Sequence, residues 1–367
     1  NRNSKETVSR GRRGKGVYMK RIGVLFGGRS GEHEVSLLSA RTVIDALKQE
    51  KEYEVVPIGI TRDGSWYIYS GDSKRIADGS WERDAARLLP SQMKERIDFA
   101  FPVIHGSYGE DGTLQGLLEM LDIPYAGSGV MSSAICMDKA AAKDVFVHSG
   151  IPTCPYVLVL AEDAERDPGG VAAQIAGTFP GPVFVKPANM GSSIGISKAI
   201  GRREIQAAIE KAIRYNRRVI VEKAIVGREF EVALLGNGEP EATVPGEIVT
   251  GTEYYDYEAK YSGSGTARVE IPAELPLETA EKLQGLARAA FRAADCAGYA
   301  RADFFVEEHT GRVYINEINT IPGFTAYSMF PMLWRHEGVE PGELLRRIIR
   351  LGEERYHDKN NRQTVCR

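Results

Sequence analysis

The sequence predicts a fold of α/β and α+β character in three domains, with a parallel open sheet in the N-terminal one. Three observations carry this. The chain has 367 residues, room for two or three domains at about 150 residues each. From Arg21 to Leu121 short apolar runs alternate with helically spaced ones, the pattern of βαβ units. Beyond Asp138 the alternation gives way to shorter strands mixed with helices, in two blocks of different length.

The elements follow in order. Residues 1–19 carry Arg2, Lys5, Arg10, Arg12, Arg13 and Lys15 and few apolar side chains, and read as a disordered tail or an expression remnant, with an anchor for an acidic surface as the lesser alternative. Ile22 to Phe26 is an apolar run ending in Gly27-Gly28, a buried strand entering a glycine turn. Glu32 to Leu47 places Val35, Leu38, Val43, Ala46 and Leu47 near helical spacing. Strands are expected at 54–60 and 97–104 and a helix at 114–121. Ligands of a parallel sheet sit at the carboxyl ends of its strands, where Gly27-Gly28, Glu32 and His105-Gly106 fall. The first domain therefore spans 20–137.

A second unit, 138–228, has expected helices at 139–148 and 203–214 and strands at 183–186 and 218–223, with a small-residue loop from Pro187 to Gly195. The third, 229–367, has expected strands at 229–235, 302–306 and 312–319 and a helix at 277–294.

Composition narrows the function. Forty-seven basic against 50 acidic residues give a net charge of −3, which does not suggest nucleic acid as partner. Apolar residues make up 43% and charged ones 26%, ordinary for a globular chain. Cys136, Cys154, Cys296 and Cys366 are too far apart in sequence for a zinc ribbon or redox pair, so a reduced, cytoplasmic setting is expected. The longest uncharged run, Pro168 to Val185, holds three prolines and four glycines and cannot be a membrane helix. No apolar signal-peptide core lies near the start, and no membrane partner is expected.

Four segments carry chemistry. In Arg301-Ala-Asp303 and Glu317-Ile-Asn319 the period of two puts each pair on one strand face. A short Thr-Gly linker joins the strands, so a hairpin can gather Asp303, Glu317 and Asn319, hard oxygen ligands that suit magnesium beside phosphate. A polar face of an edge hairpin is the alternative. Lys186 to Gly195 delivers a lysine and then a small-residue loop able to wrap phosphate with N–H groups. It is not a Walker A loop, and a flexible hairpin tip fits as well. Within it, Gly191-Ser-Ser193-Ile-Gly195 also matches a nucleophile elbow, although the next helical run starts only near Arg203. Glu222-Lys223-Ala-Ile225 with Glu229 could hinge around a base and a ribose, or be an ordinary strand end. Tyr254, Tyr255, Tyr257 and Tyr261, flanked by glycines, read as a loop folding over something or as a packed aromatic strand.

In series these segments resemble the D-alanine–D-alanine ligases, members of the ATP-grasp ligases, over residues 20 to about 350. The resemblance lies in Gly27 to Ser36, His105 to Gly112, Met137-Asp-Lys139, Lys186 to Gly195, Tyr255 to Tyr261 and Asn316 to Met329. It implies the three-domain ATP-grasp architecture, ATP as cosubstrate, two magnesium ions with manganese as a substitute, and D-alanine as substrate, with product for peptidoglycan. It also implies a homodimer. By the same resemblance Asp303, Glu317 and Asn319 hold the metals, while Lys139, Lys186 and Lys260 bind phosphate oxygens. Glu222, Lys223 and Ile225 line the adenine site and Glu229 meets the ribose. Glu32 pairs with the first ammonium, supported by His105. Arg301 and the N–H of Gly323 face the tetrahedral oxyanion. Ser328 and the N–H of Met329 hold the second carboxylate. Ser192, Tyr261 and Glu32 form a hydrogen-bonded link. The related D-lactate-using ligases carry a histidine where Tyr261 stands; a neutral tyrosine favours a peptide product over D-lactate, with D-serine or D-lactate as the alternative acceptor. Met190 has no role in this resemblance. The rivals of other classes are a nucleotide-binding protein without turnover and a serine hydrolase acylated at Ser193.

Overall fold

Lys20–Gly27 forms an inner strand, next to the edge, of a five-stranded sheet in this computed structural model, which describes residues 19–192, 194–249 and 268–362. It pairs in parallel with Tyr53–Ile60 on one side and Phe99–Pro102 on the other. Between them in sequence runs the helix His33–Leu47, whose buried Leu37, Ala40, Val43, Ile44 and Leu47 pack against the sheet. The sheet is not wholly parallel as expected. Trp66–Ile68 and Ala86–Arg87 add two short antiparallel strands at one edge. The turn Thr61 to Ser65 makes this hairpin: Ser65 O accepts from the Thr61 amide, and Gly64 takes φ +89°. The expected strand 97–104 contracts to Phe99–Pro102.

Gly59 lies on this sheet under the ring of Trp81, which is fully buried against Phe26, Tyr67 and Tyr69. A Cβ on Gly59 would overlap three ring atoms. Gly59→Ala should therefore lower stability by about 1–3 kcal/mol, read as a shift in the urea midpoint with unchanged slope.

The second sheet is antiparallel, with Arg218–Lys223 between Tyr156–Leu160 and Val183–Pro187, and Ser197–Ala199 outermost. Its helices are Gly201–Ala212 and Pro168–Thr178. In sequence the latter shows only as part of an uncharged run. Pro168 opens the helix, where its missing N–H is no loss, and Asp167 caps it by accepting from Gly170 N at 2.8 Å.

The third sheet centres on a long pair, Gly227–Asn237 against Ala297–Glu307, extended on one side by Gly246–Val249 and Arg268–Glu270 and on the other by Val313–Asn319. Both central strands run past their expected ends. The helix Leu277–Ala293 packs on one face. The helices Met329–His336 and Pro341–Asn361, not anticipated, join residues of the first sheet in one core. The helix Lys139–His148 likewise sends Ala142 and Phe146 into the core beneath the third sheet, beside Phe230, Phe291 and Ile315. Side chains on that helix are therefore fixed relative to the third sheet.

Candidate functional site

The hairpin of Ala297–Glu307 and Val313–Asn319 carries the first group. The two strands form the expected hairpin, and its register places Asp303 opposite Glu317 and Arg301 opposite Asn319. Register slips after Asp303, because Phe304 faces Ile315 and leaves Asn316 as an extra residue. Asp303 is buried and accepts from Arg301 Nε and Nη2, both at 2.7 Å, and from Asn319 Nδ2 at 3.0 Å. Arg301 also lies 2.9 Å from Glu231 on the neighbouring strand. Glu317 is 3.1 Å from Lys139 Nζ, which donates to Met190 O at 2.9 Å. That carbonyl gives Met190 a place in the site. Among the described residues no three His, Cys, Asp or Glu side chains gather round one point. The donor set is two carboxylates and an amide, which fits a cation completed by phosphate oxygens better than an all-protein cage.

Two cavities meet here. The larger, about 370 Å³, lies between the second and third sheets and is lined by Lys186, Glu222, Lys223, Ile225, Glu229 and Phe305, among others. The smaller, about 120 Å³, is lined by Glu32, His105, Glu110, Arg301, Gly323, Ser328 and Met329, among others. Lys139, Gly191, Ser192, Ile248 and Glu317 line both.

In the larger cavity Lys186 is ion-paired with Glu222 at 2.5 Å. Burial opposes charge on Glu222, but Lys143 and Lys186 together hold its pKa down at about 2. Burial likewise pulls Lys186 down, and the Glu222 carboxylate overcomes it, keeping the ammonium above its usual range. Both Glu222 oxygens thus face lysines, so the base reading falls on the chain from Lys223 to Ile225 more than on this side chain. Lys223 Nζ is 3.8 Å from Glu307.

In the smaller cavity Glu32 ends the loop before its helix without using its side chain as a cap, so the carboxylate faces the cavity. Ser192 donates to it. A Cβ on Gly106 or Gly191 would overlap Glu32 Oε2, and Ser192 holds a left-handed backbone at φ +49°. Such a conformation is costly for a non-glycine residue and marks functional loops. Gly191→Ala should displace the Glu32 carboxylate, the end of a flexible side chain, and raise KM for any ligand that this carboxylate holds about tenfold, measured by initial rates.

His105 and Glu110 grip one residue across the first and third units. The ring nitrogens of His105 meet Ile321 O at 2.9 Å and Ser39 Oγ at 2.8 Å. Glu110 accepts from the amides of Ile321 at 3.0 Å and Gly106 at 2.7 Å. Burial lowers the pKa of His105 to about 4. Burial first, and then the charge of Glu32, raise that of Glu110 to about 8. The two act oppositely on stability. Unfolded chain protonates His105 below its ordinary 6.5 while the fold resists until about 4, so acid removes stability across that window. Folded chain keeps the Glu110 proton that unfolded chain releases near 4.5, so that stability is lost as pH rises towards about 8. Glu110→Gln should flatten the fall in Tm between pH 5 and 8.5. Glu110 and Glu231 were missed as site residues. Glu110 lies within His105 to Gly112, but its role depends on Ile321, 211 residues away.

Ser328 precedes the helix Met329–His336, and Thr325 N donates to its hydroxyl at 3.0 Å. Its Oγ would crowd any Cβ on Gly323. The structure thus brings together Glu32, His105, Ser192, Arg301, Gly323, Ser328, Met329, Lys139, Glu317 and Asn319. Lys260 and Tyr261, with the rest of the tyrosine loop, lie outside the described residues, as does Ser193. The hydrolase reading also lacks its elbow: the strand Ser197–Ala199 stands between this loop and the helix Gly201–Ala212.

Comparison with known proteins bears on the same residues. The family described as D-ala D-ala ligase N-terminus matches residues 21–128, and D-ala D-ala ligase C-terminus matches 145–350. A D-alanine--D-alanine ligase of Clostridium novyi is 48% identical over 340 residues, covering 92% of this chain and 98% of that one. The solved VanG D-Ala:D-Ser ligase of Enterococcus faecalis superposes with a TM-score of 0.82 at 35% identity, covering 91% of this chain and 100% of that one. The D-alanine-D-alanine ligase of Coxiella burnetii gives 0.80 at 33%, covering 93% and 96%.

Proposed function

The chain belongs to the D-alanine–D-alanine ligase family, with its ATP-grasp fold, and from that premise we propose how its two cavities carry out ATP-dependent joining of two D-alanines for peptidoglycan. The observation that supports this most is the shared wall. Lys139, Ser192 and Glu317 border both cavities, so a nucleotide tail in one can touch an amino acid in the other.

ATP takes the larger cavity, its base against Lys223 to Ile225, its ribose at Glu229, and its phosphates at Lys139 and Lys186. The first D-alanine sits in the smaller cavity with its ammonium at Glu32, a carboxylate kept in place by Ser192 and walled by Gly106 and Gly191. Its carboxylate then points to the wall. A carboxylate is a poor acyl donor because oxide would have to leave. Attack of its oxygen on the γ-phosphorus, with departure of ADP, makes an acyl phosphate whose leaving group is phosphate. The amine of the second D-alanine, held by its carboxylate at Ser328 and the Met329 amide, attacks the acyl carbon. Arg301 and the Gly323 N–H face the oxyanion that forms, and such preorganised donors supply much of the rate. The amine loses its proton and phosphate leaves, giving the dipeptide.

Asp303, Glu317 and Asn319 would hold magnesium, with manganese as a substitute; two ions are the complement suggested by the resemblance. Magnesium would offset the charge on the phosphate oxygens. Lys260 and Tyr261 complete the same proposal from the loop outside the described residues. A homodimer and a cytoplasmic setting also belong to it. No helix among the described residues is long and apolar enough to cross a membrane.

The test is ADP release with and without D-alanine, with mass-spectrometric identification of product when D-alanine, D-serine or D-lactate is the acceptor at neutral pH. D-alanine-dependent ADP release with D-alanyl-D-alanine as main product is expected. Nucleotide binding without such release, or D-lactate as the better acceptor, would overturn it.

A further inference from the structure

Lys143 has no role in the reading above, yet its surroundings are unusual. Its side chain is fully buried, a state lysine rarely takes unless paired. Its ammonium lies 3.0 Å from Glu222 Oε1, an ion pair rather than an aligned hydrogen bond, while Lys186 holds Oε2. It also donates to Asn316 O at 3.3 Å, the carbonyl of the extra residue beside Glu317. Lys139 and Lys143 are four residues apart on one helix, so they share a face. Lys139 borders both cavities, whereas Lys143 lies behind the larger one, against its lining residue Glu222.

One carboxylate thus stands between two ammoniums. If Lys186 were the only partner of Glu222, turning towards phosphate would strand a buried carboxylate, and breaking a buried pair in that way is severely unfavourable. We propose that Lys143 is a positioning residue for nucleotide binding: it is the standing counter-ion of Glu222, which releases Lys186 to meet phosphate oxygens. The inference rests on ATP occupying the larger cavity. Lys143 itself touches no substrate. It works by keeping Glu222 satisfied whichever way Lys186 points, and its hold on Asn316 O ties that duty to the strand carrying Glu317.

A double-mutant cycle tests this. Lys143→Met, Glu222→Gln and the double variant are made in the full chain, and ATP affinity is measured calorimetrically without D-alanine. Initial rates then give KM for ATP and for D-alanine separately. Lys143→Met should weaken ATP binding at least tenfold in the parent and leave KM for D-alanine within twofold. In the Glu222→Gln background the same change should cost less than twofold, because a neutral amide cannot retain Lys186. A merely structural lysine would cost the same in both backgrounds, and that result overturns the proposal, as does unchanged ATP affinity in Lys143→Met. Should Lys143→Met alone not fold, Glu222→Gln and the double variant still decide: equal ATP affinity supports the proposal and a tenfold gap overturns it. Failure of the ligase reading would look different, as ATP binding without D-alanine-dependent turnover in the parent chain.

Discussion

Glu317→Gln should form D-alanyl-D-alanine about a hundredfold or more slowly than the parent, while melting within a few degrees of it. The carboxylate faces Asp303 across the hairpin and lies 3.1 Å from Lys139. Glutamine keeps the shape but removes one of the two anionic oxygen donors beside the proposed phosphate position. The loss of several kcal/mol of charge stabilisation translates into a rate effect of this order. Stability should hold, because the side chain is 24% exposed and Lys139 retains Met190 O as acceptor. Rates of ADP release and a thermal melt decide it. Full-speed synthesis by Glu317→Gln would remove the central support of the mechanism.

Arg301→Met is expected to fail in both respects. The guanidinium is the cation that Asp303 meets through two 2.7 Å hydrogen bonds, and it lies 2.9 Å from Glu231. Both acids are buried. Taking away the cation leaves two carboxylates in low dielectric, a loss of about 3–5 kcal/mol. On the proposed assignment the oxyanion would lose a donor as well, which costs about a hundred- to a thousandfold in kcat. The urea midpoint and kcat should fall together. An unchanged midpoint would mean that Arg301 is not what neutralises Asp303.

Much of this site is legible before any coordinates, and the reason is local geometry. Period two within Arg301 to Asp303 and Glu317 to Asn319 fixes which side chains share a face, so the hairpin could be written from sequence. The bulge could not, because Asn316 becomes the extra residue only when two strands are laid in register. Glu110 and Glu231 were invisible for a related reason: their partners Ile321 and Arg301 are 211 and 70 residues away. Lys143 carried one usable signal, its spacing of four from Lys139, but nothing local says that its helix packs beneath the third sheet. The helix Pro168–Thr178 was obscured by its own glycines and proline, which argue against a helix interior although Pro168 stands at a position that tolerates it. The short antiparallel strands at the sheet edge carry too few residues to show a period.

Lys139 stands in the partition between the two chambers, and that position has a thermodynamic corollary. With nucleotide and amino acid bound as proposed, a cation bordering both chambers would make them linked ligands rather than independent ones. Whatever factor a bound nucleotide applies to the dissociation constant of D-alanine, D-alanine must apply to that of the nucleotide. Saturation curves for either substrate then describe the pair, and an affinity quoted for one has meaning only with the occupancy of the other stated beside it.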